Sequence, residues 1–342
     1  MSNPKIYIQA AHQISMQQPL SEAWMTEPII YDEPFLQAIN PSFRDYMAAN
    51  EARRMGNGMK RALVTALKVM NESGVEHPDA IMTGTGLGCL DSTEKFLDAM
   101  IENGEQTLSP THFMQSTHNT IGSALAIYTK THGYNTTYSH GCMSFDQALQ
   151  DAWMQMKLGK IGSALVGGHD EMVDSYFELL KKTGYVGVEG MVPCGEVAVS
   201  MMLGTKDRPD SLCKLSGMML CNSPSMEELK DKVEAMLREE ELTLEDVSAV
   251  MTGINANNNA CYHETTDVLF PDVPLLHYKH LFGENYTASA FGVYASAHCL
   301  KNKMIPACLY DESTPRTCDS LQNIVVLNQM NGEYSLILLR KV

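Results

Sequence analysis

The sequence predicts an α/β protein made of two similar halves, residues 1–209 and 210–342. Three observations lead there. Apolar or β-branched runs alternate with helix-period stretches along the whole 342-residue chain, the pattern of α/β layering. A strand–turn–helix–strand unit is legible in NTTYSHGCMSFDQALQDAWMQMKLGKIGSALVGG, residues 135–168. Met-Thr-Gly ends a strand twice, in AIMTGTG (80–86) and AVMTGIN (249–255), half a chain apart and in the same order of elements, as a duplicated unit would have it. No linker rich in Pro, Gly or Ser separates the halves, so one compact body is expected.

The elements follow in order. KIYIQAAH reads as the first strand, residues 44–73 as one long helix ending near Gly74, and DAIMTGTG (79–86) as the next strand. STEKFLDAMIENG predicts a helix with Ser92 as N-cap and Glu94 in its first turn. STHNTIGSALAIYTKTHG carries small residues at helical spacing, which suits a buried helix packed closely on a neighbour. A strand over 135–139, a turn through His140, Gly141 and Cys142, an amphipathic helix to Leu158 and a strand over Ser163–Gly168 come next, and EVAVSMMLGT closes the first half. In the second half CKLSGMML, VSAVMTGIN, NIVVLNQ and YSLILLRKV read as strands, SMEELKDKVEAMLREE as a charged surface helix and 287–302 as another helix, with PLLHYKH as a further segment before it.

Composition limits function. Apolar residues make up 44% and charged ones 19%, a globular balance. No apolar run approaches the roughly 20 residues that span a bilayer, and MSNPKIYIQAAHQ has no charged-then-apolar leader layout, so a cytoplasmic home without membrane insertion is expected. A formal charge of −16 argues against nucleic acid, whose phosphates need clustered Lys and Arg. The nine cysteines (89, 142, 194, 213, 221, 261, 299, 308, 318) lack C-x-x-C spacing, which argues against a zinc site and a disulfide framework. Most lie in apolar stretches and read as small core hydrophobes, and the 24 methionines read as adaptable core filling.

Cys142 stands apart. A thiol is nucleophilic as thiolate, and a strand-to-helix turn helps because the helix N-terminus favours negative charge. Gly141 permits the tight turn, and the helix starting near Ser144 aims free backbone N–H groups toward the sulfur or an adjacent oxyanion. His140, His169, His263, His277 and His280 are candidate bases. The residues alone leave two readings of Cys142, nucleophile or buried structural cysteine. GTGLGC is no dinucleotide fingerprint, since Cys89 stands at the third glycine, and no Walker motif, G-x-S-x-G elbow or metal-spaced cluster is present.

Taken together, several segments resemble the β-ketoacyl synthases of fatty acid and polyketide synthesis. CMS (142–144) is similar to the family's Cys-x-Ser nucleophile turn and VGGHDE (166–171) to its Gly-Gly-acidic segment, with His169 inserted. ARRMGNGMKRALVTA resembles the Arg-Arg-Met turn and long helix, GTGLG (84–88) a glycine-rich turn, PCGEVAVSMML the Gly-Glu strand, and YKHLFGE (278–284) the Lys-x-x-x-Gly-His segment. The resemblance implies a thiolase-like fold, a five-layered α-β-α-β-α core, in which Cys142 accepts an acyl chain. Two histidines would then assist decarboxylation of a malonyl extender and the Claisen condensation.

The chain departs from the family at both histidines. Gly253 stands nearest the first and Glu284 at the second; the lysine is retained as Lys279, and NQMNGE (328–333) replaces a glycine-rich gating loop. Glu284, Asn285, Lys279 and His263 are therefore the candidate replacements around Cys142, with Asn255, Asn257, Asn258 and Asn259 beside the other vacancy. The asparagine run also reads as a polar loop capping the next helix. The resemblance implies no resident cofactor, substrates carried on the phosphopantetheine of an acyl carrier protein or CoA, and a homodimer or a heterodimer with another synthase subunit. The first reading the resemblance implies is a β-ketoacyl-[acyl carrier protein] synthase-like condensing enzyme, an acyltransferase that takes the acyl chain on Cys142 and carries out decarboxylative Claisen condensation; a non-condensing partner similar to chain-length factors and an acyl-transfer or thioester-hydrolysing relative are the alternatives. His112 and His118 flank a segment near the family's dimer seam and read as structural. Arg53, Arg54, Lys60 and Arg61 form a compact basic group, expected at the carrier-docking rim or a subunit seam.

Overall fold

Period-two alternation decides which face each strand buries. In Val197–Gly204, Val197, Val199, Met201 and Leu203 enter one core while Ala198 and Met202 enter another. In Asn323–Met330, Ile324 and Val326 face inward while Val325 and Leu327 face a third core. Such strands read as nearly continuous apolar runs because both faces are covered.

The computed structural model describes residues 4–104, 106, 108–310 and 320–342. Cys318 lies outside them. The strands are β1 (Tyr7–Ile14), β2 (Ala80–Gly84), β3 (Tyr134–Tyr138), β4 (Ser163–Asp170), β5 (Val197–Gly204), β6 (Cys213–Asn222), β7 (Ala249–Thr252), β8 (Leu275–His277), β9 (Asn323–Met330) and β10 (Glu333–Arg340). The ten-stranded sheet runs β8-β7-β9-β10-β6-β1-β5-β4-β2-β3.

Read outward from its centre, this sheet is one arrangement used twice, and its two five-stranded halves, which share the central core, form the first and second sheets of the layered body. β1-β5-β4-β2-β3 has two antiparallel pairings followed by two parallel ones, and β6-β10-β9-β7-β8 repeats that order. A short antiparallel contact, Tyr7 opposite Lys214 and Ile8 opposite Cys213, joins them. The two Met-Thr-Gly segments lie at β2 and β7, which are equivalent in this scheme.

Helices complete five layers. Over the first sheet lie α1 (Asn57–Ser73), with α2 (Leu90–Asn103), α3 (Pro110–Gln115) and α4 (Thr120–Thr129). Between the sheets lie α5 (Ser144–Lys157) and, following α6 (Asp174–Lys182), α7 (Met226–Arg238) and α8 (Asn259–Leu269), the helix α9 (Ser289–Asn302). α7 and α8 cover the second sheet. Residues 289–300 of α9 are all buried, as a central helix requires.

Several elements differ from expectation. The long helix over 44–73 is broken: Phe43–Asp45 and Ala49–Ala52 are separate turns, and α1 begins after Gly56. The cause is tertiary, since Gly58 N–H donates to the buried Glu171 carboxylate at 2.5 Å and a side chain at 58 would overlap it. α1 does end at Gly74, in the left-handed conformation at φ 64°. α2 begins at Leu90 with Cys89 in the cap position, so Ser92 is a buried first-turn residue and not the cap. α4 buries Ile121, Gly122 and Leu125 yet leaves Ile127 80% exposed.

Candidate active site

The local geometry of Cys142 follows from its neighbours. The chain leaves β3, passes His140 and makes a single 3₁₀ turn, Gly141–Met143, with Gly141 at φ 50°, before α5. Ser144 Oγ accepts the His140 N–H at 2.8 Å and donates to the Gly141 carbonyl at 2.7 Å. Asn328 of β9 donates through Nδ2 to the Cys142 carbonyl and to Asp146 Oδ2, each at 2.9 Å. Ser289 Oγ, at the start of α9, also donates to Asp146 Oδ2, at 2.6 Å. Gly84, at the end of β2, lets this turn approach, because a Cβ there would lie 2.4 Å from Phe145 N.

Burial first, then the charge of Glu284, push the Cys142 thiol up to about 11, against smaller lowering by Lys279 and by the Tyr185 hydroxyl. This corrects the expectation of a thiol eased toward thiolate by the helix N-terminus. Sγ lies 3.4 Å from Tyr185 Oη, and Tyr185 stacks on Tyr286 with centroids 5.9 Å apart and planes at 20°.

The two positions that the resemblance pairs with histidines, Gly253 and Glu284, have well-defined surroundings. A Cβ on Gly253 would lie 2.7 Å from Tyr262 Oη, 3.1 Å from Tyr278 Oη and 3.2 Å from Lys279 Cε, so two tyrosines and a lysine occupy that volume. Glu284 is buried, and its Oε2 accepts from Lys279 Nζ at 2.8 Å and from Asn255 Nδ2 at 2.5 Å. Its Oε1 has no hydrogen-bond partner among the described residues. The backbone holds Glu284 in place through Glu284 N–H to the Pro193 carbonyl (2.7 Å) and Gly195 N–H to the Glu284 carbonyl (3.1 Å). Gly283, at φ 92°, makes this possible: a side chain there would meet Gly195 Cα at 2.7 Å.

Of the candidates, the structure gathers Cys142, Glu284 and Lys279. Asn285 is adjacent and buried, but its Nδ2 donates to the Gly195 carbonyl at 2.7 Å and its Oδ1 accepts the Tyr286 N–H at 2.7 Å, so its amide is committed to the backbone. His263 is half-buried on α8, and the residues on either side of that helix turn, Cys261 and Glu264, are the ones that wall the adjoining cavity. His140 binds Glu333 at 2.6 Å at the surface, and His280 binds the Cys308 carbonyl at 2.8 Å. His169 is buried, its pKa lowered to about 3 by burial. The asparagine loop divides its roles: Asn255 reaches Glu284, Asn258 and Asn259 accept the loop N–H groups of Asn255 and Ala256 at 2.9 Å, and Asn257 donates to the Gly184 carbonyl at 3.2 Å.

Asp170 is a buried organiser of the glycine-rich turn. It accepts from Thr85 Oγ1, Gly86 N–H and Leu87 N–H on one side of the site, and from Thr287 N–H and Oγ1 on the other. Sequence reasoning missed Tyr185, Tyr262, Tyr278, Tyr286 and Asn328; Tyr278 and Asn328 stand at the starts of the quoted segments YKHLFGE and NQMNGE without being singled out, and the glycines around Tyr185 in KKTGYVGVEG were its one signal.

A cavity of about 400 Å³ opens beside Tyr185, walled by Asn255, Asn257, Cys261, Gln329 and Tyr334. Its rim includes Gln329, Met330, Asn331 and Gly332 of the segment NQMNGE, which is the end of β9, a two-residue turn and the start of β10. Asn331 (φ 51°) and Gly332 (φ 83°) form that turn with Met330 opposite Glu333, the Asn-Gly signature of a tight hairpin.

Two surface features flank the first half. Arg44, Arg53 and Lys60 line a concavity of about 550 Å³. Arg61 is not part of it: it is buried, with Nη1 2.7 Å from Glu196 Oε2, so it is unavailable to a docking rim and leaves the compact basic group expected with Arg53, Arg54 and Lys60. β3 is an edge strand, and Tyr134, Ile127, Phe113 and Met114 on β3, α4 and α3 are exposed apolar residues. No helix among the described residues is long and apolar enough to cross a membrane. No group of three or more His, Cys, Asp or Glu among them is placed to hold a metal ion.

Comparison with known proteins gives these features a context. The family described as β-ketoacyl synthase, N-terminal domain, matches residues 10–266. The 3-oxoacyl-[acyl-carrier-protein] synthase 2 of Mycobacterium leprae is 27% identical over 161 residues, covering 42% of this chain and 38% of that one; the match thus spans well under two thirds of the relative. Among solved structures, the ishigamide ketosynthase/chain length factor has a TM-score of 0.84 at 14% identity, covering 100% of both chains. The ketosynthase ApeO in complex with its chain length factor ApeC, from Xenorhabdus doucetiae, has a TM-score of 0.79 at 13% identity, covering 99% of this chain and 98% of that one. At these identities the structures establish a shared fold, the thiolase-like fold.

Proposed function

The chain belongs to the β-ketoacyl synthase family, as a short divergent member without the two family histidines, and from that premise we propose that it serves fatty acid or polyketide synthesis as the non-condensing subunit of a dimeric synthase. The observation that carries this reading is the buried Lys279–Glu284 pair, closed at 2.8 Å. Decarboxylative condensation needs donors or cations aimed at a developing enolate. Here the lysine is committed to a carboxylate, Asn255 donates to the same oxygen, and Gly253 supplies no side chain. A carboxylate at Glu284 repels the negative charge that the reaction would create.

Acyl groups would arrive on the phosphopantetheine of an acyl carrier protein or CoA, with no resident cofactor. An acidic carrier approaching a chain of charge −16 needs a local basic landing site, and the concavity of Arg44, Arg53 and Lys60, with Arg54 beside it, supports that role. Charge reversal at Arg53 and Arg54 with unchanged carrier affinity and assembly would sink it. The β3 edge and the apolar residues around Ile127 support the subunit seam, since an open strand edge beside apolar surface favours pairing with a second chain.

The retained Cys142 and the cavity of about 400 Å³ beside it favour a second reading, acyl transfer or thioester hydrolysis. One experiment separates the readings. The chain, alone and with a co-produced competent synthase, is offered acyl carrier protein or acyl-CoA, and intact mass is followed for an adduct lost in Cys142→Ala. No adduct under either condition supports the structural partner; an adduct without malonyl decarboxylation supports acyl transfer; an adduct with decarboxylation and chain extension overturns both in favour of a condensing synthase.

A further inference from the structure

We propose that the side chain of Tyr185 is the closure of the Cys142 site, its ring filling the passage from the adjoining cavity and its hydroxyl latched to the thiol. Tyr185 is the residue common to both places: it walls the cavity of about 400 Å³, while its Oη lies 3.4 Å from Cys142 Sγ. Cys142 itself is absent from that wall and is half-buried. A ligand in that cavity therefore meets the phenol before the thiol.

The closure is built into the local chain. The Gly184 and Tyr185 N–H groups cap the end of α6 by donating to the Lys181 and Leu180 carbonyls, each at 3.0 Å. Asn257 of the facing loop holds the Gly184 carbonyl. With the backbone fixed at both groups, the ring is positioned by its stack on Tyr286, which in turn covers Gly86, where a Cβ would lie 2.5 Å from Tyr286 Cβ. Rotation of Tyr185 into the cavity breaks one stack and one hydrogen bond and moves no secondary structure. The closure is thus the side chain, and Tyr185 acts as a positioning residue for a thiol that is reached when the ring swings aside.

The inference rests on Cys142 being the family's thiol, but its test needs no acyl substrate, so its failure leaves the non-condensing reading standing and the reverse also holds. The full chain is treated with iodoacetamide and labelling is followed peptide by peptide. Exposed Cys261, on the far wall of the cavity, is the internal reference, and buried Cys213 and Cys299 report loss of structure. Tyr185→Ala is expected to raise the Cys142 rate relative to Cys261 by about tenfold or more, because access controls a thiol's reactivity as much as ionisation does. Tyr185→Phe, which keeps the ring, is expected to raise it by about threefold at most, and Tyr286→Leu, which removes the stacking surface, by an amount between. Cys213 and Cys299 stay unlabelled throughout, which a general loosening would not allow. Wild-type Cys142 reacting as fast as Cys261, or Tyr185→Ala leaving the ratio unchanged with Cys213 protected, overturns the proposal. If Tyr185→Ala exposes Cys213, the Tyr286→Leu variant decides: a raised Cys142 ratio supports the closure and an unchanged one overturns it.

Discussion

Lys279 Nζ and Glu284 Oε2 meet at 2.8 Å in the protein interior, each side chain no more than 5% exposed, beside the thiol of Cys142. A buried pair of this kind is sensitive to the loss of one partner, because the charge left behind has neither water nor a counter-ion. Lys279→Met is therefore expected to destabilise the chain by roughly 3–5 kcal/mol, and Lys279→Met with Glu284→Leu to recover most of that loss. Urea unfolding of the two single variants and the double variant measures both.

The Cys142 thiol supplies a pH signature. Its pKa is raised from 9.0 to about 11 in the folded chain, so at pH between these values the unfolded thiol has ionised and the folded one has not. The unfolded state is favoured by that ionisation, and stability falls as pH rises from 9 toward 11. Cys142→Ala is expected to lose less stability over that window than the wild type. Because the Glu284 charge is the second cause of the shift, Glu284→Gln is expected to move the pH profile of Cys142 alkylation toward lower pH.

The hairpin between β9 and β10 is set by backbone conformation. Gly332 has φ 83°, and a Cβ there would approach Ser223 Oγ at 3.1 Å. Gly332→Ala is expected to cost about 1–2 kcal/mol of stability by thermal or urea unfolding, the ordinary penalty for a side chain in left-handed backbone.

The proposed subunit seam is testable at one residue. Ile127 is 80% exposed on α4 beside the β3 edge. Ile127→Lys is expected to shift the chain, or its complex with a partner subunit, to a smaller species in light scattering while leaving the folded circular dichroism spectrum unchanged. A mass unchanged at low micromolar protein would place the seam elsewhere.

Much of this architecture is legible in the sequence, because the relevant patterns are local. The alternation of strands and helices, the turn at Cys142 and the two Met-Thr-Gly strand ends need only periodicity and order. The break before α1 is not legible, because it depends on Glu171, which is distant in sequence and accepts the Gly58 N–H. The upward pKa of Cys142 is not legible either, because its leading causes, burial and the charge of Glu284, are tertiary facts. Lys279 and Glu284 were recognisable from the family resemblance, while Tyr185 comes from a glycine-rich segment with no motif and becomes visible only when its ring is seen between cavity and thiol.

The most direct test of the central claim is release of carbon dioxide from a malonyl carrier thioester by the purified chain primed with an acyl thioester, compared with the Cys142→Ala variant. A rate equal to the protein-free control in both, with extension appearing only when a competent synthase subunit is added and persisting with Cys142→Ala in this chain, is the predicted result. Cys142-dependent decarboxylation and a β-ketoacyl product from this chain alone would contradict it.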